Sequence, residues 1–347
     1  MFLDGATQYT SRQVQVTRVL FRGSRLHSEA EAKPTRESMQ PTVNAAPFYG
    51  EYHGHLMEHL REVHAGVRGS RSVVWLLGDS TLDNKHWVLN ERVPAINGYE
   101  HVLSPPRSAP DVPHHLNSEL LERGYGDRLV VINTSVEAST LGQRGGSQPL
   151  WHSDEFCRDN MRADDVLVCS IGGNDIALAP TVMTGVAMMS LLTCPSWLIR
   201  SLGSSPLFFR LVPGLGHFVD LFGHAAQKFV ERVCAKTSPR LLVMCMLYYL
   251  DEAPGGSWAD HTLSMLGYNA NPEKLQLIMR IVFERAISEV RLGQTQVVPV
   301  PLYEALDGKD TDDYVARVEP SSQGGQKMAK LLIDRLLAAL SQPGTTT

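Results

Sequence analysis

Gly78-Asp79-Ser80 closes the unbroken apolar run Val73-Val74-Trp75-Leu76-Leu77, which puts a hydroxyl where an α/β sheet can expose a nucleophile. Short β-branched apolar runs read as buried parallel strands, and the catalytic groups of such sheets gather just past the strands' carboxyl ends. A glycine there lets the backbone turn sharply, and the amide of a serine opening the next helix is a free donor for a developing oxyanion. A second strand end has the same character: Asp165-Val166-Leu167-Val168-Cys169-Ser170-Ile171 runs into Gly172-Gly173-Asn174-Asp175. The carboxamide of Asn174 can donate to an oxyanion, while Gly172 and Gly173 let a substrate approach the backbone closely. Asp79 and Asp175 flank these groups and are counted with the glycines as substrate-contacting positions. Either cluster alone reads better as a plain turn closing a strand. Together they point to acyl chemistry on a serine.

Other elements must hold these two ends side by side. Leu129-Val130-Val131-Ile132-Asn133, Arg240 through Tyr248, and Gln296-Val297-Val298-Pro299-Val300-Pro301 read as further strands. Asn271-Pro272-Glu273 opens a helix with Leu275, Ile278, Met279, Val282 and Ala286 on one face, an N-cap followed by proline at the first helical position. A last helical pattern runs through Met328, Leu331, Leu332, Leu336 and Leu340. Strands alternating with helices predict an α/β three-layer sandwich around a central, mostly parallel sheet.

The chain has 347 residues, 43% apolar and 20% charged, enough to bury a sizeable core. A net charge of −5 without long basic runs argues against nucleic acid and leaves small molecules as the expected partners. The five cysteines are scattered, so neither a disulfide framework nor a zinc site is expected, and a reducing, intracellular compartment, cytoplasmic or organellar, is favoured. Residues 1–47 read as a flexible extension with Arg12, Arg18, Arg22 and Arg25 near its start and no secretory signal. The domain is expected over 48–341, with 48–69 as a helix packed onto it and 342–347 as a tail. His53, His55, His59 and His64 include an i, i+4 pair but read as a solvated helix face, so no metal or cofactor is expected. Ile176 through Ile199 carries no charged residue and is long enough to span a membrane. Prolines interrupt it and it follows the Gly-Gly-Asn-Asp turn directly, so it reads as the start of an apolar insertion at about 176–222. Met183 and Met188 there suit an acyl chain, and 176–199 could touch lipid transiently.

Over roughly residues 70–340 the chain resembles the SGNH hydrolases, the GDSL esterases and lipases. Four blocks build the site in that family. Gly78-Asp79-Ser80 matches the nucleophile block and Gly172 through Asp175 the oxyanion asparagine block. The second block normally offers a glycine amide; here Ser135-Val136-Glu137-Ala138-Ser139-Thr140 follows the strand, and Ala138 holds the glycine's place. The fourth block, Asp-x-x-His-Pro, is replaced by Ala316-Arg317-Val318-Glu319-Pro320-Ser321. Glu319 thus stands at the histidine position and Ala316 at the aspartate position. The two changes agree, because a glutamate has no tautomer to fix and an adjacent aspartate would repel it. Glutamate is the weaker base by about two pKa units, which burial would offset. The resemblance implies a flavodoxin-like fold and a serine hydrolase cleaving an apolar acyl ester through an acyl-enzyme. Ser80 would attack, the amides of Ser80 and Ala138 with Asn174 would hold the oxyanion, and Glu319 would take the proton. His86, His101, His152 and His261 are other sources of a base. Acyl transfer to another acceptor, and a lipid- or glycan-binding protein that has lost its base, remain the alternative functions.

Overall fold

The five apolar runs become one parallel sheet: β1 (Ser72–Gly78), β2 (Leu129–Asn133), β3 (Val166–Ser170), β4 (Leu241–Met246) and β5 (Gln296–Pro301). The computed structural model describes residues 42–342, and the arginine-bearing N-terminal segment lies outside them. Strand order is β2-β1-β3-β4-β5 with every neighbouring pair parallel. In this doubly wound order the connections reverse between β1 and β3, which opens a crevice at their carboxyl ends. Ser80 follows β1 and Asn174 follows β3, so topology alone brings the two chemistry-bearing strand ends together.

Side chains of β1 alternate between two cores. Val74 and Leu76 pack with α2 (Val112–Glu122) and the C-terminal helix Ser322–Ser341. Val73, Trp75 and Leu77 pack in the opposite core with α1 (Met57–Arg68). That core also takes in α3 (Val182–Thr193), α4 (Ser196–Gly203), α5 (Ala226–Val233) and α6 (Pro272–Arg285); the C-terminal helix is α7. Both faces are covered, which is why the strands read as unbroken apolar runs. The three-layer α/β sandwich is as expected, with the five cysteines buried in it as free thiols.

Four expectations need correction. The fold starts before residue 48: Val43–Asn44 pairs in parallel with Leu103–Ser104, and Val43 and Ala45 are buried. Residues 48–69 are not one helix but the end of a short one, Ala45–Gly50, followed by a loop and α1. His55 lies in that loop, stacked at 4.0 Å on Phe48 with Nδ1 bonded to the Phe48 carbonyl at 2.9 Å, and His64 stacks on Trp75. These rings fill gaps in packing and do not form a solvated face. Asn271 makes no side-chain cap bond although α6 starts at Pro272 as expected. The uncharged stretch divides into α3 and α4, bent by 108°, and no single helix among the described residues is long and apolar enough to cross a membrane.

Candidate active site

The Gly78-Asp79-Ser80 turn is locked to its neighbours by backbone contacts. Gly78 has φ of 154°, and a Cβ there would lie 1.8 Å from the Ser170 carbonyl oxygen, so only glycine lets β1 and β3 close at this point. The Asp79 amide donates to that same carbonyl at 3.1 Å. Leu82 and Asp83 donate back to the Asp79 carbonyl at 3.1 and 3.0 Å. A single turn, not the helix expected from sequence, therefore follows Ser80. On the other side the amides of Thr134 and Val136 donate to the carbonyls of Leu76 and Gly78, each at 2.9 Å, tying the loop after β2 to β1.

Three donors are left over at this junction. The amides of Ser80 and Ala138 have no acceptor among the described residues. Ala138 has φ of 57°, the left-handed conformation that suits the glycine whose place it holds, at a cost of about 1 kcal/mol. Asn174 Nδ2 donates one hydrogen to the Ser139 carbonyl at 3.0 Å and keeps a second N–H. Its carboxamide is thereby anchored to the residue beside Ala138.

Ser80 Oγ donates to Glu319 Oε1 at 3.3 Å, and Glu319 is only 6% exposed. The glutamate sits in a hairpin in which Glu319–Pro320 pairs antiparallel with Tyr314–Val315. Ala316 and Arg317, with φ of 52° and 69°, make its turn. The buried Arg317 side chain holds that turn, donating to the Asp251 carbonyl and, at 2.7 Å, to Asp260 Oδ1. Tyr248 Oη bonds the Val318 carbonyl at 2.6 Å, and Asn84 Nδ2 bonds the Pro320 carbonyl at 3.0 Å. Asn84 Oδ1 meanwhile accepts from the Val112 amide, so one side chain joins the segment after Ser80, the glutamate hairpin and α2. These contacts fix the hairpin that carries Glu319 beside Ser80. No histidine among the described residues bonds Ser80 or lines the cavity beside it. His86 packs on Tyr52, and His101, His152 and His261 are exposed.

Burial shapes the charge state of this cluster. It raises the Glu319 carboxyl well above the usual carboxylate range, the Ser80 hydrogen bond opposes that rise, and the charge of Asp79 adds to it. Glu137, immediately before Ala138, is raised by burial and then by the charge of Glu319. Trp87 Nε1 donates to its Oε1 at 3.1 Å. Asp79 is pushed up to about 6 by burial. One carboxyl oxygen of each, Asp79 Oδ2, Glu137 Oε2 and Glu319 Oε2, is buried without a partner. Buried carboxyls in that condition favour the protonated form, and a neighbouring negative charge reinforces the preference. Below them Lys85 Nζ contacts both oxygens of Asp83 at 2.8 Å, and both side chains are fully buried. Arg144, paired with the buried Asp154, donates to the Gly78 carbonyl at 2.5 Å and to Ser139 Oγ at 2.8 Å.

A cavity of about 130 Å³ starts at Ser80, Asn174 and Glu319 and continues among Met188, Phe218, Phe222, Leu263, Ile278 and Met279. Asp79 and Gly173 also line it. Three expected substrate contacts fall elsewhere. Gly172 packs under the Phe222 ring. Asp175 accepts from the amides of Leu141 and Gly142 at 2.7 and 2.8 Å, so its carboxylate is spent on a short helix's start. Met183 points to solvent at 64% exposure. Ala138 is not a lining residue; it is the neighbouring Ser139 whose carbonyl accepts from Asn174. Sequence reading missed Glu137, Arg144 and the Asp83–Lys85 pair as parts of the site. Glu137 and Lys85 stand close to the motifs and could have been suspected from their charge; nothing local marks Arg144.

No family model matches the sequence, and no curated protein matches it. Among solved structures the fold is similar to a carbohydrate esterase family 3 from Talaromyces cellulolyticus (10% identical, covering 78% of this chain and 98% of that one, TM-score 0.39). It is also similar to phospholipase A1 from Streptomyces albidoflavus NA297 (11% identical, 77% and 100% covered, TM-score 0.41). A third is an acetyl xylan esterase from Geobacillus stearothermophilus (12% identical, 77% and 95% covered, TM-score 0.36).

Proposed function

We propose that the chain is an SGNH-type serine hydrolase that cleaves esters of apolar acyl groups through an acyl-enzyme. The observation that carries this is the Ser80 Oγ to Glu319 Oε1 contact at the mouth of an apolar cavity, beside three uncommitted donors. A nucleophile within reach of a base, with donors converging on one strand-end junction, is the arrangement acyl transfer requires.

In this reading Ser80 Oγ attacks the ester carbonyl as its proton passes to Glu319 Oε1. The amides of Ser80 and Ala138 and the free N–H of Asn174 take the charge that develops on the carbonyl oxygen. The C–O bond to the alcohol then breaks, Glu319 returns the proton to the leaving oxygen, and the acyl group stays on Ser80 in the cavity. Water attacks the acyl carbonyl with Glu319 again accepting a proton, the bond from the acyl carbon to Ser80 Oγ then breaks as Glu319 returns that proton to Oγ, and the carboxylic acid leaves. Glu137 remains neutral while Glu319 is ionised, since a second buried negative charge beside the first is disfavoured.

Fluorophosphonate labelling tests the assignment. The wild-type chain should label at Ser80 and hydrolyse short p-nitrophenyl esters, and Ser80→Ala should lose both while its unfolding free energy stays within about 1 kcal/mol. A wild-type chain that neither labels nor turns over would make this a binding protein.

A further inference from the structure

We propose that the outer face of α3 and α4 docks on an anionic lipid surface, so that the helix lining the Ser80 cavity lies against the phase from which the acyl chain comes. The biological purpose given to this docking rests on the ester-cleaving reading above. α3 has two different faces. Ala187, Met188 and Leu191 are buried, and Met188 lines the cavity. Val182, Val186 and Met189, at i, i+4 and i+7 spacing, face outward, with Val182 86% exposed. They form a shallow groove with Gly185, Ser190 and Thr193. After the bend α4 adds Trp197 at 68% exposure, and Leu207, Phe208 and Leu211 follow, also exposed. This many large apolar side chains left in water along one segment marks an interaction surface.

Charge selects lipid over the other occupants. Between Ile176 and Val219 the chain has no Asp or Glu, and its fixed charges are Arg200 and Arg210. Arg210 is paired with Asp220 at 2.7 Å. Arg200 is exposed and has no acidic partner among the described residues. An apolar helix with an exposed tryptophan, an unanswered arginine and no carboxylate suits a bilayer interface with negative headgroups. A second copy would present the same positive sign and no carboxylate to meet it.

The test is co-sedimentation of the full chain, carrying Ser80→Ala to prevent turnover, with phosphatidylcholine vesicles made with and without phosphatidylglycerol. Binding is expected to anionic vesicles, weaker binding to neutral ones, and a decline as salt rises. Val186→Glu with Met189→Glu should lower partitioning at least about tenfold. In the Ser80 background the same pair should leave hydrolysis of a soluble short ester unchanged. No binding by the parent chain, or equal binding by the double variant, would overturn the proposal. So would a dimer that the double variant dissociates without any vesicle binding, which would assign the face to a second copy. Vesicle binding in a protein whose Ser80 proves inert would retain the docking surface and overturn the hydrolase reading instead.

Discussion

Buried carboxylates sit at both ends of the sheet, and their partners differ completely. At the amino end Asp165 accepts from Arg68 Nη2, the Val73 amide, Trp75 Nε1 and the Arg162 amide, all at 2.8 to 2.9 Å. At the carboxyl end Asp79, Glu137 and Glu319 each keep a buried oxygen with no partner. The fully answered Asp165 fixes α1 to the sheet through Arg68. An unanswered carboxylate holds a proton more tightly than usual and can give it up to, or take it from, a reacting group. The amino end is held by its hydrogen bonds, whereas the carboxyl end carries buried carboxyls of raised proton affinity.

Glu319→Gln should show the largest effect. The amide keeps the shape but cannot take the Ser80 proton, so kcat should fall by about 10²- to 10⁴-fold. The wild-type kcat/KM should rise with pH through an ionisation above the ordinary glutamate range, because the base must first lose its raised proton. An acidic limb within the ordinary range would contradict this. Stability carries the opposite sign. A raised carboxyl pKa means the folded chain retains a proton that the unfolded chain releases from pH about 4.3 upward, so folding loses stability as pH rises through the raised value. Glu319→Gln removes that loss, and urea unfolding at mildly alkaline pH should find it at least as stable as wild type.

Asp165→Asn sharpens the comparison from the other end. Leaving the Arg68 guanidinium buried without its counter-charge should cost about 3 to 5 kcal/mol in urea unfolding. Activity per folded molecule should be unchanged, since the site is at the opposite edge; a selective loss of kcat would mean the two ends are linked. Ala138→Gly should give the smallest change. Relief of the left-handed strain offsets the extra freedom glycine gives the unfolded chain, so stability should stay the same or rise by up to about 1 kcal/mol. The amide is retained, so kcat should hold within about threefold; a large drop would show that the methyl group, and not only the N–H, matters to the reaction.

The five strands and the two strand-end motifs were legible in the sequence because continuous apolar runs and glycine-rich turns are local signals. So was the position of Glu319, by its place before Pro320 and the last helix. The histidines illustrate the limit. Spacing suggested a helix face for His55 and His59, but a loop before α1 put His55 on Phe48. Met183 and Met188 show the same limit within one helix, where a five-residue separation sends one side chain to solvent and the other into the cavity.

By itself the sequence determined the parallel sheet and the two strand-end turns that carry Ser80 and Asn174, since strand periodicity and turn chemistry are set within a few residues. Only the tertiary structure decided which charges stay paired. Glu137 and Glu319 are 182 residues apart in the chain, and Arg144 reaches Gly78 from another element. The ionisation of Glu137 and Glu319 depends on how deeply the fold buries them and on which donors it leaves within reach, and neither is written in any local stretch of residues.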